Sequence, residues 1–222
     1  MIINRYLQNI IQHPQFFKVC AVAGAVPSRD AIVNILHVLF NLHPTNTCQT
    51  THVEPLVRIY RGTLSISDRK LLSIFQLFEF QRKSSMASLL SRWSSSPDVT
   101  STTVLDAVHS LDAILVLRTC LNFPKWRRLE EQSTESKSSH DIQLYDPVFL
   151  ILIFAQMLSD TPPTSAFAWV ELFRTNIVSL LIRSISSKDH RIREVAICQI
   201  AALWKCLEVC SALTMMSDLI AP

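Results

Sequence analysis

The chain has 222 residues, a net charge of +3 and only two glycines. The scarcity of glycine excludes glycine-rich phosphate loops and the glycine-flanked serine of many hydrolases, and it favours helices, whose interiors avoid glycine. The mild positive surplus does not by itself indicate nucleic-acid binding.

The first hundred residues carry apolar side chains at helical spacing. Prolines and polar caps divide this stretch, because proline interrupts a helix and serine or aspartate caps one. The predicted helices are residues 2–11, residues 14–26, a third between Pro27 and His43, residues 53–60, a fifth capped by Ser67-Asp68, and a weaker one over residues 84–93.

The second half continues the helical pattern on both sides of a polar insertion. One long helix is predicted over residues 103–121. Residues 130–141 contain no apolar side chain and are predicted to form a disordered surface loop. Asp146 and Pro147 then start a helix as its N-cap and its first residue. The helices predicted after it are residues 166–174 and residues 176–185.

The final helix begins near Ser187, which is predicted to be its N-cap. Two apolar stripes follow at helical spacing. One comprises Ile192, Val195, Ala196, Gln199, Leu203, Leu207 and Cys210, and the other comprises Ile197, Ile200 and Trp204. A helix with two apolar stripes is expected to be covered on two sides, as in stacked helical layers.

No stretch alternates apolar and polar residues as a half-buried strand would. About ten helices joined mostly by short links predict an all-α fold, and we expect a HEAT/armadillo-like helical-repeat solenoid that forms one domain over residues 1–222. The most apolar run, residues 148–158, would span about 16 Å as a helix against roughly 30 Å for a bilayer core. No membrane segment is therefore predicted.

The six cysteines include no C-x-x-C pair and are predicted to be reduced apolar side chains. A redox or metal role for Cys206 and Cys210, one helical turn apart, is the alternative. Asp106, His109 and Asp112 do not share one helical face, so no metal site is predicted there. An enzyme built on a cysteine–histidine pair stays a third class of function, since such residues meet only in the fold. We predict no catalytic residue and no cofactor.

Three basic groups are candidates for RNA or partner contact. The first surrounds Gly62, where cations would release counterions from RNA. The second is the string at residues 125–128, in which a tryptophan between cations could stack on an unpaired base. The third lies on the first turns of the final helix. The ten candidate residues are Arg58, Arg61, Arg69, Lys70, Lys125, Trp126, Arg127, Arg128, Lys188 and Arg191.

Each basic group also has a structural interpretation. The cations around Gly62 suit an ordinary solvated face. Trp126 could anchor its loop in the core instead of stacking on a base. Asp189 and Glu194 could hold the cations of the final helix in ion pairs.

Three strings resemble the C-terminal region of the nucleolar pre-ribosomal-associated protein 1 (Urb/Npa) family. They run from Tyr60 to Glu79, from Leu144 to Leu150 and from Trp169 to Ala196. The resemblance implies a large helical-repeat protein of the nucleus and nucleolus. Such proteins gather assembly factors, including a DEAD-box helicase, onto precursor RNA of the large ribosomal subunit.

The resemblance therefore implies a non-enzymatic scaffold in early large-subunit assembly and in maturation of its pre-rRNA. The expected partners are other ribosome assembly factors, with pre-rRNA as a candidate, and neither a membrane nor a small-molecule substrate is expected. The alternative is a HEAT-type adaptor of another nuclear or cytoplasmic complex. Because family members are much longer, we expect a C-terminal piece or an incomplete gene model. Asn176 stands where many relatives are expected to have glycine, and asparagine also tolerates the left-handed conformation.

Overall fold

The computed structural model describes residues 2–21, 26–83, 85–95, 101–130 and 143–220, without the side chains of Ala21 and of the residues after Val209. Within these residues the regular structure consists of thirteen α-helices and two 3₁₀ turns, and it includes no β-strand. This confirms the predicted all-α class. The described helices include none that is long and apolar enough to cross a bilayer.

The described residues divide into two compact units. Unit 1 contains those up to Thr102 and Gln143, and unit 2 contains those from Thr103 to Glu130 and from Leu144 onward. The helices of unit 1 are α1 (Ile2–Ile11), α2 (Phe16–Ala21), α3 (Val26–Leu42), α4 (Pro44–Thr47), α5 (Val53–Ile59), α6 (Ile66–Arg82) and α7 (Met86–Leu89), with 3₁₀ turns at Thr50–His52 and Leu90–Arg92. Those of unit 2 are α8 (Val104–His109), α9 (Ala113–Leu121), α10 (Pro147–Asp160), α11 (Ala166–Arg174), α12 (Ile177–Ser184) and α13 (His190–Ile220). One domain over residues 1–222 stays a prediction, because compact units also arise within a continuous helical array.

The core of unit 1 lies where α3 packs against α6. Val33, Leu36 and Phe40 are buried on one side of α3 at helical spacing. Phe75 and Phe78 are buried on α6, and the rings of Phe40 and Phe78 lie 5.7 Å apart. The α3–α6 pair therefore fixes the position of the α5–α6 turn, which carries the first basic group.

Helix α10 forms the centre of unit 2, because it is apolar on nearly every side. It packs against α8, α12 and α13. Ile192 and Ala196 of α13 are fully buried. Gln199 interrupts that apolar stripe, and its amide Nε2 donates to the Ile151 carbonyl of α10 at 2.8 Å. One hydrogen bond thus satisfies part of a buried polar side chain that the sequence pattern leaves unexplained.

The prediction of one long helix over residues 103–121 is wrong, since α8 and α9 are separate helices. The Asp112 carboxylate accepts hydrogen bonds from the amides of Ile114 and Leu115 at 2.9 and 3.1 Å. These bonds satisfy orphan donors of a new helix start, so Asp112 is the N-cap of α9. The apolar spacing runs across this break and hides it from periodicity alone.

Two predicted caps lie two residues from the observed ones. The Ser65 hydroxyl, not the Ser67 hydroxyl, accepts the Asp68 amide at 3.2 Å and caps α6. At α13, Asp189 accepts the first-turn amide of Arg191 at 3.0 Å. The Ser187 hydroxyl instead accepts the Asp189 amide, one step before the helix. At both helix starts, two residues that can cap a helix lie two positions apart, so the sequence alone does not show which of them is the cap.

Two local predictions are confirmed. The Asp146 carboxylate accepts the Val148 amide at 2.9 Å and caps α10, with Pro147 at the start of the helix. Asn176 has φ 63°, in the left-handed region. Its side-chain Nδ2 donates to the Ala113 carbonyl at 3.1 Å, so the same residue makes the turn and ties it to α9.

Several predicted segments lie partly outside the described residues. The helix predicted over residues 14–26 is seen as α2 and the start of α3, and residues 22–25 between them are not described. The predicted weak helix over residues 84–93 is seen as α7 and a 3₁₀ turn. Apart from Glu130, the predicted disordered loop lies outside the described residues.

Candidate partner-binding surface

A buried carboxylate organises the first basic group. Asp68, fully buried, pairs with Arg29 of α3 at 2.5 Å. It also accepts the amides of Arg61 and Thr63 at 3.2 and 2.9 Å and the Thr63 hydroxyl. Gly62, at the centre of this turn, has φ 70°, a conformation that costs glycine little. We call Asp68, Arg29, Arg61 and Thr63 the Asp68 cluster.

The four candidate cations of unit 1 are all engaged by the fold. The Arg58 guanidinium lies 4.1 Å from the centre of the Phe17 ring, a cation–π arrangement. Arg69 is buried. The remaining two bond to neighbouring polar groups: Arg61 to the Cys20 carbonyl at 3.0 Å and Lys70 to the Asn34 side chain at 2.5 Å.

The electrostatics of Arg61 agree with a structural role. Its pKa is lowered, first by burial and then by the nearby charge of Arg29, while the Asp68 carboxylate acts in the opposite direction. A guanidinium in this setting is already desolvated and held by its own chain. The first basic group therefore makes its contacts within unit 1, and its role in RNA or partner contact stays a prediction.

The second basic group is split by a buried ion pair. Arg127 is buried, and its Nε and Nη2 donate to the Asp146 carboxylate at 3.1 and 2.8 Å. This two-pronged contact is the geometry that a guanidinium makes best. Lys125 and Arg128 stay exposed on either side, and Trp126 is half-buried. The buried arginine thus fixes the segment and turns its neighbours outward.

The structure brings the second and third basic groups together. The Lys188 amide donates to the Lys125 carbonyl at 3.3 Å. The Asp189 carboxylate accepts the Leu129 amide at 2.7 Å and also caps α13. Arg191 forms an ion pair with Glu130. Segments about sixty positions apart in sequence therefore form one polar junction, anchored by Asp189.

The cations around this junction form a small basic rim, which we define as Lys125, Arg128, Lys188 and Arg191. All four side chains are exposed. Arg191 is paired with Glu130, whereas no described side chain pairs with the other three. Exposed, flexible cations of this kind bind anions without a large desolvation cost. The rim is the part of the ten candidates that the fold leaves available.

The Asp189 carboxylate is stabilised in its charged form. Partial burial alone would raise its pKa, but hydrogen bonds from the amides of Leu129 and Arg191 and the nearby charges of His190 and Arg191 lower it overall. The junction consequently keeps its negative anchor at neutral pH, and the rim surrounds a fixed carboxylate rather than a purely positive surface.

Sequence reasoning missed Arg29. It gave Asp68 and Asp189 local roles at helix starts but did not predict that Asp68 binds Arg29 of α3 or that Asp189 accepts the Leu129 amide. A signal for Asp68 exists in the Ser65-x-x-Asp68 spacing, which is typical of a capping box. The Asp106 and Asp112 carboxylates each accept hydrogen bonds at the start of a helix. Within the described residues, histidine, cysteine and carboxylate side chains form no group of three that could hold a metal ion.

Known proteins show a consistent likeness over most of this chain. Nucleolar pre-ribosomal-associated protein 1 of human is 25% identical to it over 224 residues, which cover 90% of this chain and 10% of the human protein. The chain is similar to that protein. Nucleolar pre-ribosomal-associated protein 1 of mouse is 25% identical over 202 residues, which cover 81% of this chain and 9% of the mouse protein. No protein-family model and no solved structure matches the chain.

The chain spans about a tenth of the length of these curated relatives. The likeness to nucleolar pre-ribosomal-associated protein 1 confirms the resemblance seen in the three sequence strings. Both relatives are named as nucleolar, which confirms the nucleolar location expected for this chain. Both relatives are named for association with pre-ribosomes and not for a reaction.

Proposed function

We propose that the chain is a non-enzymatic scaffold module of nucleolar ribosome biogenesis, which acts in early assembly of the large subunit and in maturation of its pre-rRNA. The observation that carries this proposal is the likeness to two nucleolar pre-ribosomal-associated proteins over 81% or more of the chain. An all-helical architecture suits the role, because helical arrays present extended surfaces to partners.

The proposed mechanism is geometric. We propose that the helices stack as a HEAT/armadillo-like solenoid, in which each layer covers the apolar side of the next. Contacts within unit 2 support this arrangement, since α12 packs against both α9 and α13, and α10 packs against both α8 and α13. Such an array holds assembly factors in a fixed relation without any chemical step.

The basic rim is the proposed place of anionic contact, with another assembly factor or with pre-rRNA. Lys125, Arg128 and Lys188 supply exposed charge on a backbone that Arg127 and Asp189 hold in place. Fixed backbones with flexible cations suit phosphate binding, which needs charge more than exact geometry. In this arrangement Arg127 acts only by positioning its neighbours.

Gradient sedimentation tests the proposal. A tagged full chain expressed in its native cells is expected to sediment with precursors of the large subunit, and RNase treatment should release the fraction held through RNA. A chain found only in light fractions, free of ribosomal precursors, would overturn the scaffold proposal. The variant Lys125→Glu, Arg128→Glu, Lys188→Glu should weaken sedimentation with precursors. A matched control, Arg5→Glu, Lys18→Glu, Lys83→Glu, changes exposed cations of unit 1 by the same charge.

The second candidate function is a HEAT-type adaptor in another nuclear or cytoplasmic complex. The observation that favours it is the mixed charge of the rim, where Glu130 and Asp189 lie among the cations. Such a surface suits protein partners as well as RNA. A stable complex without ribosomal RNA in the same gradients would select this adaptor function.

A further inference from the structure

Helices α9 and α12 lie side by side in unit 2 and run in the same direction. They pack against each other along their length. At their starts, the Asn176 Nδ2 donates to the Ala113 carbonyl at 3.1 Å. Just beyond their ends, the Lys188 amide donates to the Lys125 carbonyl at 3.3 Å. Because start meets start and end meets end, the two helices form parallel ridges.

The outer sides of both ridges face the same way. The Thr119 hydroxyl of α9 accepts the Tyr145 amide at 3.0 Å, just before α10 begins, and α12 packs against α10 itself. Both helices therefore turn their inner sides towards α10 and the segment that leads into it. On the outer sides, the side chains that are between 44% and 71% exposed include Ile114, Leu117, Leu121 and Ile182. The three on α9 recur at steps of three and four residues, so they form one line.

Two arginines lie on the same outer sides. Arg118 follows Ile114 by one helical turn and shares its line on α9. Burial raises the pKa of the Cys120 thiol of α9 to about 11, and the charge of Arg183 opposes that rise, so Arg183 lies close to α9. Both arginines are exposed, and no described side chain forms an ion pair with either. We define the α9–α12 face as Ile114, Leu117, Arg118, Leu121, Ile182 and Arg183.

The α9–α12 face carries charge of one sign. Neither helix contains an aspartate or a glutamate. Asp112, before the first turn of α9, caps that helix, and Glu171 of α11 is paired with Arg174. Glu194 and Glu208 belong to α13, which packs against α10 and α12. The face itself thus combines four aliphatic side chains with two positive charges.

The positive charge continues beyond the ends of both helices into the basic rim. Lys125 follows α9, Lys188 follows α12, and both side chains are exposed. Attraction of a negatively charged partner therefore extends from the rim onto the α9–α12 face. The face differs from the rim in its exposed aliphatic side chains, which favour a partner that can also bury apolar surface.

We propose that the α9–α12 face docks an acidic amphipathic helix of a partner protein. This inference rests on the proposed scaffold function and names the class of partner that the scaffold holds. Leucine-like side chains of that helix would pack between the two ridges, and its carboxylates would meet Arg118 and Arg183. A protein suits the face better than RNA, because aliphatic side chains gain little from phosphate and the six residues include no aromatic ring on which a base could stack.

Three synthetic helical peptides test the charge match. All carry leucines at steps of three and four residues, with glutamates beside them in the first peptide, glutamines in the second and lysines in the third. Fluorescence anisotropy with the full chain should show the glutamate peptide binding about fivefold or more tighter than the glutamine peptide, and the lysine peptide binding most weakly. Because exposed charges are screened by salt, the advantage of the glutamate peptide should shrink in about 0.5 M salt.

Substitutions then locate the binding site. Leu121→Ser and Ile182→Ser should each weaken binding of the glutamate peptide about fivefold or more, because an apolar contact is lost. The double variant Arg118→Glu, Arg183→Glu should reverse the preference towards the lysine peptide. All four side chains are exposed, so the fold should persist, and circular dichroism checks that it does.

The matched controls change exposed residues of unit 1. Phe80→Ser removes a side chain that is 81% exposed, and it should leave binding of the glutamate peptide unchanged. Arg5→Glu, Lys18→Glu alters the net charge as much as the arginine double variant does, and it should keep the preference for the glutamate peptide. A reversal by this control as well would assign the preference to net charge and overturn the proposed site.

Four other results would overturn the proposal. Equal binding of the glutamate and glutamine peptides would remove the charge match. Unchanged binding by both Leu121→Ser and Ile182→Ser would remove the apolar contact. A dimer of the parent that Leu121→Ser disrupts in sedimentation equilibrium would assign the face to a second copy of this chain. A single-stranded RNA that binds the parent, and that Leu121→Ser weakens as much as the peptide, would assign the face to RNA.

Gradient sedimentation separates this inference from the scaffold function. The useful variant is Leu121→Ser, Ile182→Ser, since it leaves every cation in place. If the parent chain is absent from ribosomal precursors, the scaffold function fails. If the parent and this variant sediment with those precursors to the same extent, the scaffold function stands and helix docking on the α9–α12 face fails. The docking proposal expects the parent to be present and the variant to be depleted severalfold.

Discussion

The two units use similar basic strings for opposite purposes. In unit 1, Arg61 and its neighbouring cations are drawn into the fold around Asp68. In unit 2, the only arginine of the string that enters the core is Arg127, while Lys125 and Arg128 stay exposed. The sequence alone does not separate the two cases, because both strings contain several closely spaced cations near an aromatic residue.

The difference lies in how much backbone each buried carboxylate must satisfy. Asp68 accepts bonds from the Arg61 and Thr63 backbone as well as from Arg29, so it closes the turn that carries the cations. Asp146 also caps α10, and apart from that cap it binds one guanidinium, that of Arg127. We therefore expect a cationic string to be available for binding only where the local carboxylate leaves some of its cations outside the contacts of the fold.

The largest effect should follow from Asp68→Ala. This change leaves Arg29 buried without its counter-ion and removes the acceptor for the Arg61 and Thr63 amides. Breaking a buried pair from one side costs about 3–5 kcal/mol, and the orphaned amides place the change at the upper end. Urea unfolding of the full chain measures this loss of stability. If the loss exceeds the stability of the parent, no folded protein is obtained on expression.

The control for Asp68→Ala is Asp106→Ala, which removes an exposed capping carboxylate in unit 2. Loss of such a cap costs about 1 kcal/mol. Equal costs for the two variants would contradict the central place given to the Asp68 cluster.

Arg127→Leu should have the next largest effect, about 3 kcal/mol, because it leaves the buried Asp146 carboxylate without its guanidinium. Arg128→Leu, one residue further on and exposed, is the matched control and should change the free energy of unfolding by no more than about 0.5 kcal/mol. Denaturant midpoints of both variants test the pair. If Arg128→Leu proved the costlier change, the assignment of inside and outside in this string would be wrong.

Much of the fold is predictable from local chemistry. The 3.6-residue period gives the all-α class, and Asp146 before Pro147 gives the start of α10 because both residues act within one helical turn. The break at Asp112 is not predictable in the same way, since apolar spacing continues across it. The period records which side of a helix is buried and carries little information about where one helix stops and the next begins.

The candidate surface is less predictable because its contacts are distant in sequence. Arg127 meets Asp146 across nineteen positions, and Leu129 meets Asp189 across sixty. The local amino-acid sequence does not show whether an arginine has a buried carboxylate to bind. Helix α13 is a partial exception. The sequence shows its second stripe of Ile197, Ile200 and Trp204 but predicts that the stripe is covered, whereas Ile197 and Trp204 are exposed and Ile200 is half-buried.

A smaller effect is expected for Asp189→Ala, which removes the cap of α13 and the acceptor for the Leu129 amide. The loss should be about 1–2 kcal/mol, less than for either buried ion pair, because the site is partly solvated. Hydrogen exchange should increase at Leu129 and in the first turn of α13. Unchanged exchange at Leu129 would show that Asp189 does not hold the junction.

The pH dependence of this junction has a definite sign. Because the pKa of Asp189 is lowered in the fold, its contribution to stability is present above the unfolded pKa, near the ordinary value of 3.8, and is lost as the pH falls through the lower folded pKa. Asp189→Ala should therefore cost less stability at acid pH than at neutral pH. A cost that grows as the pH falls would contradict the lowered pKa.

The smallest effect on stability is expected for the rim itself. Replacing Lys125, Arg128 and Lys188 together by glutamine should leave the free energy of unfolding within about 0.5 kcal/mol of the parent, since no described side chain depends on them. Removing three phosphate contacts from single-stranded RNA should nevertheless reduce the slope of log affinity against log salt by about 2. Filter binding at several salt concentrations measures that slope. A destabilised variant would show that these cations contribute to the fold, as the cations of unit 1 do. An unchanged slope in a stable variant would assign the rim to protein partners, because protein association need not release counterions from a phosphate backbone.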